Sequence, residues 1–300
     1  MSKKWGAKMQ VFRKFCQFLR LILVCFLGSV SQKGWANDSD TVPIHIEADQ
    51  MNYDMKKDTA EAIGSAWATQ GDKKIEADRF VVKFQEKKSS SPSLEKASKD
   101  VEEIIALGHV RLISPSEEIT GASAVYNLRT EIITVFGEKI VLVSSKGSVE
   151  AHKSLSYDQK NQKVVALGHV IVVSESYEMR APKISVDFKK IAPSQNQKFQ
   201  ESLTLNSMEA EGGVILKTQS YISESDRANY LAETGMVDLV GNVKITDGKN
   251  IFEGPCGEYN EKTGKSRLVT CLSKKSQKEG EVISKGRVKA LLYATKKKVS

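Results

Sequence analysis

Tryptophan and cysteine are both scarce in this chain. Of three tryptophans and four cysteines, Trp5, Trp35, Cys16 and Cys25 fall in the first 36 residues, so residues 37–300 keep only Trp67, Cys256 and Cys271. A platform that stacks the bases of single-stranded nucleic acid needs several exposed rings, and this composition excludes one. Excess charge of one sign is missing too. The chain holds 45 basic and 37 acidic residues, but seven of the basic ones and none of the acids lie in the first 36; removing them leaves 38 against 37. A general polyanion binder is therefore disfavoured, and no nucleic-acid partner is expected. Glycine and proline, 20 and 6 of 300, are too few for a collagen-like or disordered chain.

Motifs for covalent, nucleotide or metal chemistry are absent as well. There is no Gly-x-Ser-x-Gly, no phosphate loop and no Gly-x-Gly-x-x-Gly. The four histidines, His45, His109, His152 and His169, lack the i, i+4 spacing of a helical metal pair and stand far from any cysteine. Glu47, Glu76 and Glu150 recur beside an inward apolar residue, which places them on solvent-facing strand positions rather than in a carboxylate pair. No catalytic residue, metal site or cofactor is expected.

What is present begins with a leader. Lys3, Lys4, Lys8, Arg13 and Lys14 precede an apolar core from Leu21 to Val30, and Gly34-Trp35-Ala36 supplies a small-residue cleavage site. An apolar run of about ten residues is too short to cross a bilayer, which takes about 20, so a signal peptide over residues 1–36 removed after about Ala36 is expected. Export makes a disulfide admissible for Cys256 and Cys271. They flank the turn-like Asn260 to Lys265, and if the flanks pair as antiparallel strands the two cysteines are near-opposite; the alternative is two separate buried thiols.

Beyond the leader the chain repeats itself. Ala106-Leu107-Gly108-His109-Val110 recurs as Ala166-Leu167-Gly168-His169-Val170, with Gly213-Val214 and Gly241-Asn242-Val243 in equivalent places. An aromatic stands eleven residues before the glycine in Tyr53 to Gly64, Tyr126 to Gly137, Tyr157 to Gly168 and Tyr230 to Gly241. Two phrases are stretched by polar inserts, Gln85 to Asp100 and Lys189 to Ser202, and the whole pattern returns after 104 residues. Phrases open with an apolar residue, one intervening residue and a small one, as in Ile46-Glu-Ala48, Ile75-Glu-Ala77 and Ile119-Thr-Gly121. That is strand alternation, and no convincing helical period accompanies it. About seven two-strand units of short strands, over residues 37–295, must stack to share one core. The expected fold is all-β, an elongated twisted antiparallel jelly roll, followed by a basic tail at 296–300.

Pro43-Ile44-His45-Ile46-Glu47-Ala48-Asp49-Gln50, with Thr69-Gln70-Gly71-Asp72 and Ile75-Glu76-Ala77-Asp78, resembles the OstA-like family. The Gly-His-Val and Gly-Asn-Val phrases and Gly286-Arg287-Val288 fit the same pattern, so the resemblance covers nearly the whole exported chain. It implies a periplasmic jelly roll with an apolar interior that carries lipopolysaccharide by its lipid A chains. It further implies head-to-tail association through edge strands, with its own copies and with related subunits at the inner and outer membranes. The resemblance places Ile44 and Ile46 in the lipid lining, and the alternation register adds Ala48, Ile75, Ala77, Ile119, Val149, Met179 and Phe252. Each of these equally suits a closed core. A membrane-anchored adaptor of the same fold and a secreted structural or sugar-binding β-repeat protein are the other readings.

Overall fold

The computed structural model describes residues 43–86, 99–145, 147–175, 177–191, 202–260, 262–263, 265–271 and 286–293. The expected leader, the basic tail and most of both polar inserts lie outside them. Among the described residues every regular element is a strand. The chain opens with β1 (His45–Glu47), β2 (Gln50–Asp54), β3 (Thr59–Gln70), β4 (Lys73–Glu86), β5 (Lys99–Ile113) and β6 (Glu117–Asn127). Four five-residue strands follow, β7 (Ile132–Phe136), β8 (Ile140–Ser144), β9 (Gly147–Ala151) and β10 (Ser154–Asp158). Long strands then resume as β11 (Lys163–Ser174), β12 (Tyr177–Ile191), β13 (Ser202–Thr218), β14 (Ile222–Leu231), β15 (Met236–Asp247) and β16 (Asn250–Asn260), and β17 (Lys265–Val269) and β18 (Lys289–Leu291) are the last described strands.

All pairings are antiparallel and belong to one continuous sheet. Most strands are long and bent, where alternation alone suggests two short ones per phrase. The bend has a local cause. In β3, β5, β11, β13 and β15 the register slips at Gly64-Ser65, Gly108-His109, Gly168-His169, Gly212-Gly213 and Gly241-Asn242, and all ten residues have positive φ. Two left-handed residues in succession form a bulge that turns the strand. Facing the bulges stand single residues, among them Pro182 and Pro255, which have no N–H to offer a ladder that is already interrupted. The repeated Gly-His-Val and Gly-Asn-Val phrases of the sequence are these corners.

Glycine is required at the first corner position by space as well as by φ. A Cβ on Gly108 would lie 2.1 Å from Oδ2 of Asp78, and one on Gly241 would lie 2.1 Å from Oδ2 of Asp226. Those carboxylates hold the second corner residue: Asp78 pairs with Nδ1 of His109 at 2.8 Å, and Asn242 donates to Asp226 at 2.9 Å. Histidine and asparagine tolerate the left-handed region better than most residues, which accounts for their recurrence.

Aligned corners fold the sheet into two walls. The first wall takes β2, one half of each long strand, β7, β10 and β17; the second takes β1, the other halves, β8, β9 and β18. In the middle, where β7 and β8 and then β9 and β10 are separate strands, the chain is interrupted at the corner instead of bending through it. Fourteen strands stacked per wall at about 4.8 Å make the roll about 60 Å long. The core lies between the walls, with Phe80, Ile140, Met179 and Met208 fully buried.

At the last hairpin the pairing centre differs from the expected one by a residue. Val269, not Cys271, is opposite Cys256. β17 ends at Val269, and beyond it the chain turns in so that Cys271 bonds Cys256 with their Cα atoms 5.4 Å apart.

The corner geometry sets an expected order of mutational cost. Gly248, with φ +63 and open space around it, should lose only the roughly 1–2 kcal/mol of a left-handed alanine on Gly248→Ala. Gly241→Ala must also displace the Asp226 carboxylate, so urea denaturation should show a loss of about 3 kcal/mol or more.

Candidate functional site in the space between the walls

The second wall carries one uninterrupted cross-strand row. Ile46 faces Ala68, Ala68 faces Ile75, Ile75 faces Leu112, and the register continues through Ile119, Leu142, Val149, Val172, Met179 and Leu216. It then passes Ser223 and Ile245 to Phe252 and Ala290, reaching from the first strand of the wall to the last. Six of the residues expected to line the interior, Ile46, Ile75, Ile119, Val149, Met179 and Phe252, occupy every second place in this row. Where the repeat calls for a seventh apolar residue, Ser223 stands instead.

The other three expected residues flank the row. Ala48 and Ala77 lie toward the corners, where small side chains recur and Ala66 faces Ala77. Ile44 lies toward the opposite edge. Ala77, Ile119, Val149 and Met179 are buried in the main core, whereas Ile44, Ile46, Ala48, Ile75 and Phe252 are partly exposed and pack against it. All nine thus share one inner face.

The first wall answers with its own row. Tyr53, Ala60, Val82, Ile104, Tyr126, Ile133 and Tyr157 are successive cross-strand neighbours. The row goes on through Val164, Val186, Met208, Tyr230 and Val237 to Tyr259. The four recurrent aromatics Tyr53, Tyr126, Tyr157 and Tyr230 are all here, and the eleven-residue interval from aromatic to glycine is the path down one strand, around a hairpin and up to the next corner.

Midway along the roll the rows border a partly open cavity of about 80 Å³. Leu112, Ile119, Leu142, Val149 and Val172 bound it on the second wall and Val135, Leu155, Val164 and Val186 on the first. Of the nine expected residues, Ile119 and Val149 reach this cavity. A mostly apolar lining of this kind suits hydrocarbon better than water.

Toward its free edge the second wall becomes polar. Lys73, Ser114, Glu117, Ser144 and Ser174 occupy the inward places nearest the hairpin turns, so the inner face grades from small residues at the corner, through the apolar row, to polar groups at the rim. Outward positions carry ion pairs: Glu76 with Lys74 and Arg111, and Glu150 with His152 and Lys139. Among the described residues no group of three or more histidines, cysteines or acids is placed to hold a metal.

Among the described residues Glu117 is the one buried acid. It is 5% exposed, it lines the cavity, and neither carboxylate oxygen has a hydrogen-bond partner among the described residues. Burial pushes its pKa up to about 8. Its neighbours offer no compensating charge: Glu118 points outward to Arg111 at 2.9 Å, and the Tyr157 hydroxyl in the cavity donates to Gln162 at 3.1 Å. Sequence reasoning passed over Glu117, although it stands two residues before Ile119 and strand parity alone puts it on the same face.

A raised carboxyl pKa in the folded state means that the unfolded chain binds fewer protons between about 4.5 and about 8. Stability attributable to Glu117 therefore falls as pH rises through that window, by up to roughly 5 kcal/mol, and is level above it. Glu117→Gln should flatten this part of the stability profile, measured by urea denaturation at about pH 5 and about pH 9. An unchanged profile would show that Glu117 ionises freely.

Comparison with known proteins gives three findings. A family model described as LptA/(LptD N-terminal domain) LPS transport protein matches residues 45–153 and again residues 149–265, two spans that begin one 104-residue repeat apart. An uncharacterized protein, R00383, of Rhizobium meliloti (strain 1021) is 28% identical over 108 residues, which is 36% of this chain and 56% of that protein. The chain thus spans a little over half the length of this curated relative. Among solved structures, LptH from Pseudomonas aeruginosa, described as the LptA homologous periplasmic component of the conserved lipopolysaccharide transport device, aligns over 84% of this chain and 96% of its own at 14% identity, with a TM-score of 0.20. With the family model matched twice over more than half its length, the chain belongs to the LptA/(LptD N-terminal domain) LPS transport protein family.

Proposed function

We propose that this protein is a periplasmic carrier of lipopolysaccharide that holds the lipid's acyl chains between its two walls and passes them from one end of the roll to the other, toward the outer membrane. The observation that carries this reading is the apolar row of the second wall, unbroken but for Ser223 across fourteen strands. Apolar contact yields about 25 cal/mol per Å², so an acyl chain even partly covered gains several kcal/mol. A row of near-equivalent contacts keeps the steps between neighbouring positions small, which movement without a fuel requires. The polar rim leaves a sugar-phosphate headgroup in water while its chains lie inside.

In this reading residues 1–36 direct export and are removed after about Ala36, residues 37–295 form the roll, and the basic residues 296–300 trail it. Transport continues beyond one molecule by edge-to-edge pairing, with other copies of this chain or with related jelly-roll subunits at the two membranes. The end strands support that step. β2 presents Met51 and Tyr53, and β18 presents Leu291, all more than half exposed. No chemical step is involved and no cofactor is called for.

Photo-crosslinking groups placed at Ile119 and Val149 should form adducts with lipopolysaccharide in growing cells. The same groups at Val143 and Val173, which are exposed on the same wall, should not. Equal labelling at inward and outward sites would overturn the interior as the carrier path.

A further inference from the structure

Glu117 has a counterpart one repeat later. In the turn before β6, Ser114 donates from its backbone N–H at 2.9 Å and its hydroxyl at 3.2 Å to the carbonyl of Glu117. In the turn before β14, Thr218 donates in the same two ways, at 2.9 and 3.1 Å, to the carbonyl of Tyr221. Glu117 and Tyr221 are therefore the same rim position in the two halves of the duplicated roll. Tyr221 is 7% exposed, and its hydroxyl, like the carboxylate of Glu117, has no hydrogen-bond partner among the described residues. On the same inward side of β14, the Ser225 hydroxyl is also unpartnered at 5% exposure.

Leaving a buried polar group unmatched costs about 1–3 kcal/mol, and most buried polar groups in folded proteins are matched. Two such groups at one repeated position, bordering an apolar interior, leave a place for a polar atom brought by a ligand. The chemistry of that atom is constrained from three sides. It is attached to hydrocarbon, because the rest of the lining is apolar. It is uncharged, because among the described residues no opposite charge is bonded to Glu117 or Tyr221. It accepts a hydrogen bond, because a phenol and a protonated carboxyl both donate one. An ester or amide carbonyl at the head of a fatty acyl chain meets all three conditions, and the rim is where it falls when the chain lies on the apolar row with its headgroup in water.

We propose that Glu117 and Tyr221 are paired acyl-carbonyl rungs, one per repeat, each donating a hydrogen bond to the ester or amide carbonyl of a fatty chain held between the walls. This rests on the carrier reading and adds a recognition step to it. The interior distinguishes acylated lipids from plain hydrocarbon, and it offers the same polar contact at successive places along the path.

Two lipids that differ in this group alone test it: palmitoyl lysophosphatidylcholine and its hexadecyl ether analogue, titrated below their micelle thresholds into the intact protein. The wild type should bind the ester more tightly by roughly threefold to tenfold. Glu117→Gln, which keeps a donor, should retain the preference. Glu117→Leu and Tyr221→Phe should each reduce it and together abolish it, read as the ratio of ester to ether affinity within each variant. Tyr221→Phe removes a single oxygen and keeps the ring, so its result stands even if Glu117→Leu fails to fold. Equal binding of ester and ether by the wild type, or a preference that survives in the double variant, overturns the rungs and leaves the carrier intact. If neither lipid binds, the carrier reading falls and the rungs fall with it.

Discussion

Side-chain sense in a sheet survives only as long as register does, and here register must survive thirteen consecutive pairings. A slip of one residue anywhere would send the apolar row out into solvent from that strand onward. The bulges are therefore a hazard as well as a device, because each inserts a residue. The roll manages this by placing the Gly-x corners of β3, β5, β11, β13 and β15 in line, while the further shifts at Lys83/Phe84 and Asp187/Phe188 fall beyond the first-wall row, so the rows on either side stay whole. Asp78 and Asp226, packed against the corner glycines and bonded to His109 and Asn242, fix that alignment.

Much of this was readable in advance, for a physical reason. Alternation is local, so Ile46, Ile75, Ile119, Val149, Met179 and Phe252 could be assigned to one face before it was known that they share one row. The glycine phrases were visible as repeats but not as corners, since nothing in Gly-His-Val says whether it ends a strand or bends it. That is why short strands were expected and long bent ones were found. Cys256 and Cys271 approach each other as their spacing suggests, but off register, because the centre of a hairpin cannot be fixed from its turn residues alone. Glu117 escapes a reading by residue type for a different reason. A glutamate is read as exposed by type, and only its parity with Ile119 argues otherwise.

Ser223 and Ser225 mark where the two halves have diverged. They occupy the places of Ile119 and Gly121, both inward and both buried, so at these two places the second half is more polar inside than the first. The cavity, by contrast, lies where the halves meet, between β5 and β12, around the four short strands that do not bend. The interior is thus continuous in register but uneven in polarity along its length.

Because the meander does not close among the described residues, each strand is held by strands no more than three places away in the chain. Adding or deleting a block of whole strands leaves every remaining contact in place, provided the block begins and ends at equivalent edges. The 104-residue duplication meets that condition. In a chain built this way, molecular length is an inherited quantity that changes in fixed increments, and a lineage can match the reach of its protein to the width it must cross without redesigning any part of it.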